Sequence, residues 1–228
     1  ETNKHFMKLA KKFGQRIPLL NSNNEAIKIA SSKIKTHNFL VKKKISCIPI
    51  ENVKSLELTR FVKKPEYGAG SEEVKFSNEI EINKGTVFQK FYPDEKGSFT
   101  MLCKKGESIV LSCNRQIVKK NKKSIKQVGL ILGGLEKNRN EIKILADMIC
   151  KNLPGLFGFI GVDIIKHNNL WKVLEINSRF TSAYIGMEMA YSKDIKKIIT
   201  NFYVKENLIK KKTIFIKEKK IYFNEKFN

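Results

Sequence analysis

The 228-residue sequence lacks the features that usually mark a secreted, membrane-spanning or zinc-binding protein. No apolar run approaches the roughly 18 to 20 residues that a membrane-spanning helix needs, and the first residues lack the apolar core of a signal peptide. The four cysteines, Cys47, Cys103, Cys113 and Cys150, are scattered without a CxxC pair. Neither a zinc site nor a disulfide framework is therefore indicated. We expect a cytoplasmic protein with reduced thiols and no membrane association.

Arginine is also scarce, because only five of the 45 basic residues are arginine, while acidic residues number 22 and the net charge is +23. Such a charge favours contact with phosphates. The lysines are spread along the whole chain, however, and arginine makes most of the bidentate contacts that recognise bases. We therefore expect no specific nucleic-acid binding, although the positive field favours a small anionic substrate.

The order of predicted elements indicates an α+β fold rather than a doubly wound sheet. Up to about residue 44 the apolar residues follow helical spacing, with Asn23 or Asn24 as a helix N-cap. From Ser55 onwards, strands and turns dominate, and they form hairpins rather than βαβ units. NRNEIKILADMICKNL predicts an amphipathic helix in this part, DIKKIITNFYVKENL predicts a second helix, and the terminal TIFIKEKKIYF predicts a small hairpin. The apolar stripe of the amphipathic helix consists of Ile142, Leu145, Ala146, Ile149 and Cys150.

Two acidic residues lie in the most apolar, most strand-like segment, FGFIGVDIIKHNNLWKVLEINSRFTSAY. If Ile160–Ile165 and Trp171–Asn177 pair as a hairpin, Asp163 lies opposite Glu175, and alternation puts both on one face together with Asn177. The other face is then apolar and packs on a core. Its residues are Ile160, Val162, Ile164, Leu174 and Ile176.

The acidic face of this hairpin suits a hard cation. Opposed side chains on antiparallel strands have Cβ atoms about 4.5 to 5.5 Å apart, and two carboxylates this close repel each other unless a cation bridges them. Oxygen ligands without cysteine or histidine favour Mg²⁺, which usually shares its coordination shell with substrate phosphates. The alternative is a solvent-facing hairpin whose acids pair with the surplus lysines.

A lysine and a glycine-rich loop follow a predicted strand in VKKPEYGAGSEEV. Small residues let backbone N–H groups approach phosphate oxygens, and Lys64 supplies the countercharge. The segment matches neither the P-loop nor the dinucleotide-binding motif, and such glycines are also common in ordinary turns. The loop consists of Gly68, Ala69, Gly70 and Ser71.

Two further segments have similarly open interpretations. Lys33 in IASSKIKT is either a phosphate ligand or a solvated helix residue. The extended VFQKFYPDEKGSF either offers backbone groups to an adenine edge or is a simple edge strand. LSCNRQIV contributes Asn114, Arg115 and Gln116 only as residues of a site wall.

Taken in order, these segments resemble the ATP-grasp superfamily. GVDII and VLEINSRFTSAY are similar to the family's terminal signature, in which an acid on one strand and E-x-N on the next hold Mg²⁺. SSKIKTHNFL, KKPEYGAGS, LSCNRQIV and EINSRFTSAY resemble more narrowly the branch that contains archaeal tyramine–glutamate ligases. The resemblance spans about Ala26 to Ala190.

The resemblance implies an ATP-grasp fold in which two α+β lobes enclose ATP with Mg²⁺ or Mn²⁺. Arg179 would act on the transferring phosphoryl group or the tetrahedral intermediate; alternatively, it forms a structural salt bridge to a metal-binding carboxylate. Lys64 is the second implied catalytic residue. The implied metal ligands are Asp163, Glu175 and Asn177, and the implied nucleotide-binding residues are Lys33, Lys64, Gly68, Ala69, Gly70, Ser71, Gln89, Lys90 and Phe91.

The resemblance also implies how the chain is divided. Residues 1–32 would be a helical remnant or linker, 33–89 the central lobe, 90–204 the C-terminal lobe with the Mg-ATP site, and 205–228 a Lys-rich tail. Relatives usually carry an N-terminal lobe that helps to bind substrate. We expect most of it to be absent from this sequence and to be supplied by a missing segment or a partner chain, with a homodimer as a further expectation.

The implied reaction is ADP-forming ligation of a carboxylate, such as that of glutamate, to an amine through an acyl phosphate. Positioning and charge neutralisation drive this reaction, and lysines and a metal supply both without a protein nucleophile. The alternatives are an ATP-grasp kinase, a polyamino-acid ligase, or a basic nucleotide- or nucleic-acid-binding protein without catalysis.

Overall fold

The computed structural model describes residues 4–14, 19–51, 60–68, 74–80, 84–191, 194–205 and 218–223, which form six α-helices and nine strands. The helices are α1 (Lys4–Gly14), α2 (Asn24–Ala30), α3 (Lys33–Lys42), α4 (Arg139–Asn152), α5 (Ala183–Ala190) and α6 (Asp194–Lys205). The strands are β1 (Phe61–Pro65), β2 (Lys75–Ser77), β3 (Thr86–Lys90), β4 (Lys96–Lys104), β5 (Glu107–Lys120), β6 (Ile125–Leu132), β7 (Gly158–His167), β8 (Leu170–Asn177) and β9 (Lys219–Tyr222). Among the described helices, none is long and apolar enough to cross a membrane.

Two side-chain caps fix the starts of α2 and α3. The Asn23 side chain accepts a hydrogen bond from Ala26 N (2.9 Å), which confirms one of the two predicted caps. Ser32 caps α3, and its hydroxyl also donates to Glu66 Oε1 (2.6 Å). Lys33 N donates to Glu66 O (3.1 Å). The first residue of α3 is therefore held against the end of β1.

The small sheet has the order β2-β1-β3, and both of its pairings are antiparallel. Val62 pairs with Gln89, and Lys64 pairs with Val87. Paired residues project from the same face of a sheet. Lys64 therefore shares a face with Gln89, whereas Phe61 and Phe88 pack on the opposite side with Ile80.

The large sheet has six antiparallel strands in the order β8-β7-β4-β5-β6-β9. One face packs on α2, α3 and α4, and the other packs on α5 and α6. The amphipathic helix predicted from the sequence is α4, and its predicted apolar stripe is confirmed as its buried face. Two helical layers thus flank the large sheet, which agrees with the expected α+β class.

A cysteine pair in the core was not predicted. The sulfur atoms of Cys103 on β4 and Cys150 on α4 lie against each other, and Cys47 and Cys113 are free. The sequence indicated four separate thiols. The paired residues are 47 positions apart, so only the packing of α4 on the sheet brings them together.

Two sets of backbone contacts join the small sheet to the large one. On one side, Ile48 N donates to Val173 O on β8 (3.2 Å), and Glu51 N donates to Phe88 O on β3 (2.8 Å). On the other side, Phe76 N on β2 donates to Lys123 O in the β5–β6 turn (2.8 Å). The facing surfaces of the two sheets therefore border an enclosed space.

Candidate active site

The β7–β8 hairpin has the predicted register at the acids. Asp163 pairs with Glu175, and Gly161 pairs with Asn177. The strands are joined by Asn168 and Asn169, whose φ angles are 53° and 59°. Two left-handed residues are what a tight two-residue hairpin turn requires, and asparagine tolerates this conformation better than most residues. The two carboxylates are therefore neighbours on one face.

The prediction for Leu174 was wrong, because a β-bulge interrupts the hairpin beside the acids. The pairing shifts between Asp163 and Ile164, so that Ile164 pairs with Val173 and Leu174 has no partner. Val173 takes the core position at 1% exposure, and Leu174 instead lines a cavity. The other predicted core residues of the hairpin are confirmed as fully buried; these are Ile160, Val162, Ile164 and Ile176.

A cavity of about 810 Å³ lies between the small sheet and the large one. It brings together most residues for which the sequence predicts a role, although they come from five separate segments. Three predicted loop residues, Ala69, Gly70 and Ser71, lie outside the described residues. The predicted residues that line the cavity are Lys33, Lys64, Gly68, Gln89, Lys90, Phe91, Asp163, Glu175, Asn177 and Arg179.

Amide groups hold both oxygens of the Asp163 carboxylate. Gln116 Nε2 donates to Asp163 Oδ1 (2.7 Å), and Asn177 Nδ2 donates to Oδ2 (3.2 Å). Arg179 donates in turn to Asn177 Oδ1 (3.1 Å) and to Phe180 O (3.0 Å). This chain of hydrogen bonds fixes the plane of the carboxylate and places the Arg179 guanidinium beside it.

The surroundings of Asp163 disfavour its charged form. Burial, and next the adjacent Glu175 carboxylate, raises the pKa of Asp163 to about 7. Two close carboxylates and an amide oxygen fit the preference of Mg²⁺ for hard oxygen ligands. Within the described residues, no third acidic, histidine or cysteine side chain joins them. A magnesium ion here would take its remaining ligands from water and phosphate, which agrees with how Mg²⁺ binds nucleotides.

Two lysines approach the acids from the small-sheet side. Lys33 Nζ lies 3.6 Å from Glu175 Oε2. Lys64 Nζ donates to Gln89 Oε1 (2.9 Å), and burial lowers the pKa of Lys64 while Glu175 opposes that shift. An anion between the lysines and a metal on the acids would complete the charge balance.

The extended segment after β3 lines the cavity as expected for a nucleotide-binding connector. The N–H group of Phe91 donates to Arg60 O (2.8 Å). This N–H group is therefore already bonded to Arg60 and is not the donor of the predicted adenine contact. The contact through the backbone near Lys90 and Phe91 stays a prediction.

A family model described as an ATP-grasp domain matches residues 30–183 of the sequence. The chain belongs to the ATP-grasp family. The fold and the family expected from the motifs are thereby confirmed. The matched residues include Asp163, Glu175, Lys33 and Lys64.

Solved structures show the same ATP-grasp fold. An ATP-grasp superfamily protein from Archaeoglobus fulgidus matches with a TM-score of 0.70 and 23% identity, over 84% of this chain and 59% of that one. L-amino acid ligase from Bacillus licheniformis matches with a TM-score of 0.63 and 14% identity, over 87% of this chain and 59% of that one. N5-carboxyaminoimidazole synthetase from Staphylococcus aureus, complexed with ADP, matches with a TM-score of 0.65 and 15% identity, over 82% of this chain and 55% of that one. The chain thus spans little more than half of these structures. No curated protein matches the sequence.

Two side chains of this ATP-grasp site have contacts that the motifs did not indicate. Gln116, expected only in the wall, bonds Asp163 directly. Lys96 was missed; its Nζ donates to Tyr92 O (3.0 Å), and burial, and next the Lys64 ammonium, lowers the pKa of Lys96 to about 8. Gln116 had a usable signal, because polar residues alternate in SCNRQ within a strand that is otherwise buried. For Lys96 the sequence gives no such signal.

We expect Asp163→Asn to stabilise the ATP-grasp chain when metal and nucleotide are removed. The raised pKa means that the folded protein binds the Asp163 proton more tightly than the unfolded chain. Stability from this group is therefore fully present below the ordinary pKa of 3.8 and is lost as pH rises to about 7. Asparagine resembles the protonated form, so the free energy of unfolding should rise by about 1 to 2 kcal/mol at pH 8.

Thermal unfolding in EDTA at pH 8 and pH 5.5 measures this effect, and the gain should be smaller at the lower pH. An equal gain at both pH values, or a loss at pH 8, would contradict the expectation.

Proposed function

We propose that this protein is an ADP-forming carboxylate–amine ligase that uses ATP and Mg²⁺. The observation that supports it most is the convergence of acidic and cationic side chains on one cavity in an ATP-grasp fold. Acids bind the cation, and the cationic groups face the phosphates, as phosphoryl transfer to a carboxylate needs. The residues that carry the proposal are Asp163, Glu175, Asn177, Lys33, Lys64 and Arg179.

The chain's residues bind and orient the nucleotide. Lys64 and Lys33 offset the charge of the phosphates, and Gln89 holds the Lys64 ammonium in place. Asp163 and Glu175 would hold Mg²⁺ together with the Asn177 oxygen. When bound, Mg²⁺ draws electron density from the phosphate oxygens and aligns the γ-phosphoryl group for transfer.

The proposed reaction has two steps. A carboxylate oxygen of the first substrate attacks the γ-phosphorus, the bond to the β–γ bridging oxygen breaks, and ADP leaves. The amine nitrogen then attacks the acyl carbon of the acyl phosphate, phosphate leaves, and the nitrogen loses a proton. Arg179, beside Asn177, stabilises the negative charge of the transferring phosphoryl group.

The substrates are the finer part of the proposal. We infer an amino acid such as glutamate as the carboxylate, because the motifs resemble the branch with tyramine–glutamate ligases. The L-amino acid ligase with the same fold fits this inference, although at 14% identity the likeness shows the fold alone. We further propose that a partner chain or an additional segment contributes to substrate binding, as the family resemblance implies.

The test is product analysis with the purified chain, Mg²⁺, ATP, glutamate and a panel of amines. We expect ADP, phosphate and an amide, with turnover that requires both organic substrates. AMP as the product would overturn the mechanism. A stable phosphorylated product formed without amine would identify a kinase, and nucleotide binding without turnover under any substrate pair would favour a non-catalytic protein.

A further inference from the structure

The C-terminal strand is built into the large sheet. Ile221 pairs with Leu130, and Tyr222 pairs with Gly129. Phe223 N continues the ladder by donating to Val128 O (2.9 Å). The sequence predicted a separate hairpin with no chemistry here; its other half lies in 206–217, outside the described residues. The described part forms the sixth strand of the sheet that carries the acids.

Two glycines on two other elements make room for this strand. A Cβ atom on Gly129 of β6 would overlap the Ile221 carbonyl oxygen. A Cβ atom on Gly186 of α5 would overlap the Ile221 side chain. A side chain at Gly129 would displace the strand backbone, and one at Gly186 would displace the Ile221 side chain. The position of β9 therefore depends on glycines in two distant parts of the chain.

The cavity floor runs from the acids to this strand. Gln116 on β5 bonds Asp163 and pairs with Leu130 on β6, which pairs with Ile221 on β9. Neighbouring strands lie about 4.8 Å apart, so β9 is about 10 Å from the strand of Gln116. Leu130 and Phe223 both line the cavity. The side of the cavity next to β6 and β9 thus carries apolar side chains, one of which comes from the tail.

The described residues at this end of the cavity offer no acid to pair with an ammonium group. Among the described residues that line the cavity, the acids are Asp163 and Glu175, and both belong to the metal-binding hairpin. A charged amine here would have no acidic partner among these residues, which is costly for a buried charge. An amine held here has to bind as the neutral base, which is also the nucleophilic form, and its affinity has to come from its apolar part.

We propose that Phe223, together with Leu130, receives the apolar body of the acceptor amine, so that the C-terminal strand sets which amines are used. This inference rests on the proposed ligase function. It assigns a specificity-determining residue to a segment outside the matched ATP-grasp domain. Truncating the ring would remove contact area for a large amine and leave an amine without a body unaffected.

The experiment compares Phe223→Ala and Phe223→Leu with the wild-type chain, using butylamine, 2-phenylethylamine and ammonia as acceptors. Phe223→Ala should lower kcat/KM for the two larger amines by about tenfold, and leave kcat/KM for ammonia and KM for ATP within about twofold. Phe223→Leu should keep butylamine as a substrate and lose 2-phenylethylamine. Tyr222→Ala is the matched control, because Tyr222 is 58% exposed and precedes Phe223 on the opposite face of the strand. Its amine preferences should not change.

Equal losses for ammonia and the larger amines in Phe223→Ala, or unchanged preferences in both Phe223 variants, would overturn the inference. Failure of the proposed function would look different, because no amine would then support ADP release in the wild type. If the wild type shows no turnover, the inference is tested by calorimetry, which measures the binding of 2-phenylethylamine in the presence of Mg-ADP at pH 9. Binding that weakens about tenfold in Phe223→Ala but not in Tyr222→Ala supports the inference, and equal binding to all three proteins overturns it.

Discussion

Replacing Glu175 with glutamine is expected to lower ATP-dependent turnover by about 100-fold or more, because the proposed metal site loses one of its two charges. Glutamine keeps the size of the side chain and its position opposite Asp163 on β7. It removes the negative charge that faces Lys33 at 3.6 Å and that Mg²⁺ prefers in its ligands. The loss should therefore come from the metal and not from the fold.

Three measurements separate these causes. ADP release gives turnover, titration with Mn²⁺ gives metal affinity, and thermal unfolding reports the fold. Metal affinity should fall together with turnover, while the unfolding temperature without metal should stay the same or rise. Glu95→Gln is the matched control, since Glu95 pairs with Arg115 (2.7 Å) and does not line the cavity. Turnover in Glu175→Gln that remains above half of the wild-type value would reject the assigned role.

The local part of the site was accessible from the sequence. The pairing of Asp163 with Glu175 follows from the alternating pattern of the β7–β8 hairpin and from a pairing centre at Asn169, inside the predicted turn. This signal lies within one hairpin, so no knowledge of distant contacts was needed. The pairing of Asp163 with Glu175 was predicted for this reason, and the structure confirms it.

The remaining features depend on contacts between distant segments. The bulge at Leu174 moves one residue from the core to the cavity, and a regular alternation cannot show it. The pairing of β9 with β6 joins residues about ninety positions apart, and the contact of Gln116 with Asp163 reaches across β4. In each case the long-range order of the strands decides the outcome. Local patterns in the sequence do not specify that order.

Replacing Arg179 with alanine is expected to lower kcat by about 100-fold while KM for ATP changes by less than about threefold. Its recorded hydrogen bonds go to Asn177 Oδ1 and Phe180 O. Neither acceptor is a carboxylate, which argues against the purely structural salt bridge that the sequence left open. These bonds do not neutralise the charge of the Arg179 guanidinium. The charge can therefore stabilise a group that becomes more negative during phosphoryl transfer.

Arg179→Lys provides the sharper comparison. Lysine keeps the charge but not the planar, forked geometry of arginine, so it should recover only part of kcat. Arg115→Ala is the control for loss of an arginine in the same lobe, because Arg115 pairs with Glu95. Steady-state kinetics and Mn²⁺ titration give the two readouts, and Mn²⁺ affinity should change little in either Arg179 variant. A rise in KM for ATP that accounts for the whole loss would instead make Arg179 a ground-state nucleotide ligand, because uniform binding affects KM and leaves kcat unchanged.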